Sequence, residues 1–132
     1  MALNRHNPSG LARPSGYSHA VSATGSRLVF LAGQTALDAE GKVTDDGIVG
    51  QFEVALGNLL AALADAGGSP EHLTRVTIYT VDVEEYKAHS TEIGTIWRWL
   101  VGGDYPAMAL IGVSRLWDAE ALVELDGIAV LP

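Results

Sequence analysis

Residues 47–66, GIVGQFEVALGNLLAALADA, constrain the fold more than any other stretch. Ile48, Phe52, Leu56, Leu59, Leu60 and Leu63 recur at helical spacing and make one apolar stripe. Gly67 and Gly68 follow where a left-handed C-terminal cap belongs. The next stretch, LTRVTIYTV, alternates and is β-branched, so it predicts a strand. A second helix is expected from about Asp82. Asp82 and Glu85 have the form of a capping box, Tyr86, Ile93, Trp97 and Leu100 give the stripe, and VGGDYP ends it. Trp97 and Trp99 stand two apart on that helix and cannot share a face, so Trp97 is assigned to the core and Trp99 to an edge or interface.

Strands are expected on both sides of these helices. YSHAVSA and RLVFLAG, separated by TGS, predict a hairpin. AMALIGVSRL and ALVELDGIAVL predict two closing strands. Residues 1–16 are rich in Asn, Pro, Ser and Gly and read as a lead-in loop, and Gly41 marks a turn within TALDAEGKV. The order is therefore β-β-α-β-α-β-β in one domain over residues 1–132. Two helices on one face of a mixed sheet make a two-layer α+β fold. The other face would be uncovered, and strands such as RLVFLAG and ALIGV carry apolar residues on both sides. Burial against further copies of the chain is the economical solution.

Charge narrows the partners. Eight basic residues face sixteen acidic ones, for a formal net charge of −8, and the basic residues are scattered. Binding a phosphate backbone needs clustered positive charge, so no nucleic acid is expected, and no anionic membrane surface. The N-terminal MALNRHNPSG lacks a signal-peptide core, and no apolar run is read as a membrane span. A cytoplasmic protein is expected. The chain has no cysteine, so disulfides, thiol catalysis and thiolate metal sites are out of reach. His6, His19, His72 and His89 show no metal-ligand spacing, and no metal is expected. His89 is read as a packing or surface residue. Neither a Walker loop nor GxGxxG is present, and no cofactor is expected.

The last strand raises the chemical question. Glu124 and Asp126 are two apart and share one face, while Val123, Leu125 and Ala129 point the other way. One reading gives the carboxylates to the wet face of a half-buried strand; the functional alternative is that Glu124 faces a pocket.

Several stretches taken together, GYSHAV, LVFLAGQTALDAEGKV, QFEVALGNLLAALADAGGSPEHLTRVTIYTVDVEEY, YPAMALIGVSRL and VELDGIAV, resemble the RidA/YjgF family of reactive-intermediate deaminases, often labelled endoribonuclease L-PSP. The resemblance runs from about Asn7 to Val130. It implies a chorismate-mutase-like α+β fold and a homotrimer, whose three sheets line a central barrel with a small-molecule cleft at each subunit interface. It also implies hydrolysis of an enamine or imine, such as 2-aminoacrylate or its imine tautomer, to a keto acid and ammonia. On that basis Glu124 orients the water, and Tyr17 within SGYS takes the place of the family's tyrosine. Ala32, Gly33 and Gln34 fall on the family's SGQ, so a serine hydroxyl is missing while the Gly33 N–H stays near the ligand.

The departure lies in YPAMAL, where Ala107 and Met108 occupy the substrate-binding position. Active relatives carry an arginine where Met108 stands, and a serine where Ala109 stands. Methionine offers no charged donor. Losing a bidentate, charge-assisted contact costs ~1.5–3 kcal/mol. Arg13, four residues before Tyr17, is the candidate substitute. Arg115 is a poor one, seven residues beyond Met108 and so ~23 Å away on the opposite face of a continuous strand. Two functions stay open: a divergent enamine or imine hydrolase, and a trimer that binds a small apolar ligand without turnover. A ribonuclease fits the acidic charge least well.

Overall fold

The computed structural model describes residues 2–44 and 47–132. A four-stranded sheet is made of β3 (Arg27–Gln34), β4 (Leu73–Thr80), β5 (Ala107–Gly112) and β6 (Val123–Leu131). Their spatial order is β3-β6-β4-β5, with β4 and β5 parallel and the other pairs antiparallel. Helix α1 (Gly47–Asp65) packs on β6 and β3, and α3 (Ser90–Leu100) lies beside it. This is the two-layer α+β arrangement expected from the sequence.

The stripe of α1 behaves as its spacing predicts. Phe52, Leu56, Leu59 and Leu63 are sealed against Val76, Val123, Leu125 and Ala129 of the sheet. Gly67, at φ +89°, closes the helix with the Gly67 N–H on the Ala64 carbonyl and the Gly68 N–H on that of Leu63. By length and composition alone α1 could cross a bilayer, which the sequence reading had not recognised. Its buried stripe on the sheet is that of a core helix.

Several other expectations need correction. Residues 1–16 are not all loop: β1 (Ala2–His6) pairs antiparallel with β2 (Ala20–Thr24) in a separate two-stranded ribbon. β2 therefore does not form a hairpin with β3. Gly25 passes so close to the Leu131 carbonyl that a Cβ would collide with it, and the Ser26 N–H donates to that carbonyl. The chain is thereby turned out of β2 and into the sheet edge. The ribbon is tied down at the far edge, where Arg5 Nε and the Ser18 hydroxyl both donate to the Tyr105 carbonyl, at 3.1 and 2.7 Å.

The second helix is broken. α2 (Val83–Ala88) and α3 meet at His89, whose backbone leaves the helical region (φ −108°, ψ 18°). Asp82 caps α2 by accepting from the Glu85 N–H at 3.0 Å. The return arm of a capping box is missing, because Glu85 instead contacts His89 Nε2 at 3.0 Å, while Glu92 holds Nδ1 at 2.9 Å. His89 is thus a surface residue between two carboxylates, and they push its imidazole pKa up, Glu92 most. Lastly, β5 ends at Gly112 and not near Leu116. Arg115 lies in the following loop and donates to the carbonyls of Leu116 and Trp117.

Candidate functional site

β6 alternates without interruption, with Val123, Leu125, Gly127, Ala129 and Leu131 buried and the residues between them half-buried. Glu124 and Asp126 accordingly point away from the helices, onto the uncovered face. Register shifts between Leu31 and Gln34, leaving Ala32 and Gly33 in a bulge of β3. The bulge sets Gly33 directly against Glu124. A Cβ on Gly33 would lie 2.9 Å from the Glu124 carboxyl carbon and from Oε2. Only glycine lets the carboxyl group sit there undisturbed.

Across the sheet, Tyr79 of β4 is the register partner of Glu124, and its hydroxyl donates to Asp126 Oδ2 at 3.1 Å. Burial raises the Glu124 carboxyl above the usual glutamate range, and the neighbouring Asp126 charge adds to this. Burial also raises the Tyr79 phenol, and its bond to Asp126 reinforces the shift. The sequence reading missed Tyr79. Alternation in LTRVTIYTV gives its face, but only the β4–β6 register puts it opposite Glu124.

Tyr17 and Met108 occupy a different place. Met108 is the register partner of Val76, which is sealed under the helices, so Met108 points to the helix side. There it lines a cleft of about 460 Å³ together with Tyr17, Tyr105, Trp97, Phe52 and Arg98. Trp97 stacks on Tyr105 with centroids 5.8 Å apart, and Tyr86 meets Phe52 edge-on at 6.2 Å. Ala107 sits at the start of β5, bridged to Ser18 in the Tyr17 segment. Arg13 is exposed and does not line the cleft.

Apart from Arg13, the predicted residues thus fall into two groups on the chain. Ala32, Gly33 and Glu124 converge on the uncovered face. Tyr17 and Met108 converge on the helix side. No group of three or more His, Asp or Glu side chains among the described residues could hold a metal ion.

The endoribonuclease L-PSP family model matches residues 9–131. The chain belongs to this family, the RidA/YjgF proteins. It is 35% identical over 115 residues to Protein DfrA of Myxococcus xanthus, covering 86% of this chain and 84% of that one. It is 31% identical over 118 residues to the RutC family protein slr0709 of Synechocystis, covering 88% and 86%. Among solved structures, the Rid-family protein YyfB of Yersinia pestis superposes with a TM-score of 0.88 at 32% identity, over 99% of this chain and 100% of that one. RidA from an Antarctic Psychrobacter, at 24% identity, shares the fold with a TM-score of 0.69 over 91% of this chain and 92% of that one.

Proposed function

We propose that this RidA/YjgF protein hydrolyses small enamine or imine metabolites in a cleft shared between copies of a homotrimer. The observation that carries the reading is the Gly33–Glu124 pair. A carboxyl group is held under a strand bulge, partly desolvated, beside a second carboxylate. Its raised pKa makes it a stronger proton acceptor than an ordinary glutamate. In the reaction a water oxygen attacks the imine carbon while Glu124 orients the water and accepts its proton. That proton passes to nitrogen to give a carbinolamine, the carbinolamine hydroxyl gives up the water's second proton to nitrogen as well, the carbon–nitrogen bond breaks, and ammonia leaves a carbonyl behind. The two residue groups lie on opposite faces of one protomer's sheet, so a complete site needs the uncovered face of one copy against the cleft of another.

The alternative, a trimer that binds without turnover, is favoured by Met108 and the aromatic lining of the cleft. Ribonuclease activity is disfavoured by the net charge of −8 and the scattered basic residues. The deciding experiment measures ammonia release when the protein is added to an amino-acid oxidase or dehydratase reaction that generates imines. Acceleration that disappears in Glu124→Gln is expected. No acceleration over the spontaneous rate with any imine would leave the binding reading.

A further inference from the structure

We infer that Arg98 is the anion-holding residue of the helix-side cleft, and that the ligand is a carboxylate bearing an aromatic or large branched apolar group. The inference rests on the proposed site, but it concerns which molecules enter and not whether they are turned over. Arg98 was not singled out by the sequence, where it is one of two basic residues in the second helical region.

Three observations converge. First, Arg98 lines the cleft that contains Tyr17 and Met108. Its guanidinium lies along α3 over Gly94, where a Cβ would come within 3.3 Å of Nη1. Second, that guanidinium has no carboxylate partner among the described residues. Its recorded hydrogen bond is a long one, 3.4 Å from Nη2 to the Thr95 hydroxyl. The acidic residue nearest it in sequence on α3, Glu92, is engaged by His89. Guanidinium groups recognise carboxylates through two parallel hydrogen bonds, and this one is free to do so.

Third, the cleft is large and apolar behind the cation. About 460 Å³ is within the range of pockets that hold drug-sized ligands, well beyond a three-carbon acid. Tyr17 and Tyr105 supply half-buried aromatic surface, Phe52 and Trp97 lie almost fully buried at the back of the lining, and Met108 adapts to irregular shapes. The indole N–H of Trp97, a side chain that lines the cleft, is buried and has no acceptor among the described residues. Within the proposed hydrolase the substrate class becomes 2-imino acids derived from aromatic or branched amino acids.

The test is binding of 3-phenylpropionate, its neutral amide and propionate to the intact protein by calorimetry. Phenylpropionate should bind best, with propionate and the amide each weaker by about tenfold or more. Arg98→Gln should weaken phenylpropionate by about tenfold, Arg98→Lys should restore part of it, and neither should change the amide. Lys42→Gln, in a distant loop, serves as the control. Equal binding of acid and amide, or equal binding of phenylpropionate to wild type and Arg98→Gln, would overturn the inference. So would a loss that follows Arg13→Gln instead. Because the readout is binding, it stands apart from catalysis. Arg98-dependent binding without ammonia release would keep this inference and sink the hydrolase. Ammonia release indifferent to Arg98 would do the reverse.

Discussion

The two faces of the four-stranded sheet come from the same strands and differ in almost everything else. On the helix side, Val76, Val123, Leu125 and Ala129 are fully sealed. On the other side, Leu28 and Phe30 of β3 stand 62% and 72% exposed, and Ile111 of β5 44%. Amid this apolar surface lie Glu124, Asp126 and Tyr79, joined by the Tyr79–Asp126 hydrogen bond. A soluble monomer seldom leaves such a patch in water unless it serves as a contact surface or a site. One face therefore holds the protomer together. The other carries apolar area and a carboxyl group, Glu124, whose pKa burial raises, the ingredients of an interface with chemistry at its rim.

The largest effect should come from the sealed face. Phe52 is 1% exposed and packs against Tyr86. Phe52→Ala should cost ~3–5 kcal/mol in urea denaturation, as a cavity left in a packed core does. The matching change on the other face, Phe30→Asp, should leave the protomer's own fold intact. In the proposed trimer it would bury an unpaired charge, so half-dissociation should require ~100-fold higher concentration by light scattering or sedimentation. Should Phe30→Asp unfold the chain at low concentration while leaving mass unchanged, the uncovered face would belong to the protomer's core and the contrast would fail.

The contrast was only partly legible in the sequence. α1 and β6 could be read because each has a single strong period, and every residue of those periods faces where the pattern places it. β1 could not, since ALNRH has neither alternation nor β-branched content, and its pairing comes from β2. The break at His89 was hidden because the apolar positions of α2 and α3 still fall close to one helical stripe. The site was legible by resemblance more than by spacing. Gly33 and Glu124 are ninety-one residues apart, and only a bulge brings them together. Arg98 was invisible because nothing in the sequence shows which side of a helix borders a cleft.

A smaller effect should separate structure from function on the uncovered face. In Gly33→Ala the new methyl group meets the end of a flexible side chain and no backbone. The carboxyl group can swing aside, so the melting temperature should barely move. Ammonia release should nevertheless fall by roughly ten- to a hundredfold, because a displacement near 1 Å at a catalytic group is enough for that. Equal losses of stability and activity would show that Gly33 is needed only for the strand bulge.

The smallest effect is the most diagnostic of why the two faces differ. Glu124 titrates above the ordinary 4.5 because burial disfavours its charged form, with Asp126 adding repulsion. The folded state then holds this proton more tightly than the unfolded chain. Stability from this group is fully present below the unfolded value and is lost as pH rises through the folded one. Glutamine keeps the shape without the charge. Glu124→Gln should therefore match wild type at acid pH and become the more stable protein as pH climbs past the folded value, which differential melting from pH 4 to 8 would show. Asp126→Asn should lower the Glu124 pKa, measured by carboxyl NMR, but leave it above the ordinary value, since burial is the larger cause. If Asp126→Asn instead returned Glu124 all the way to that value, repulsion would be the source. The uncovered face would then be wetter than its geometry implies. If wild type gained on Glu124→Gln with rising pH, a donor would have to be stabilising the carboxylate, and Glu124 would be a structural anion and no proton carrier.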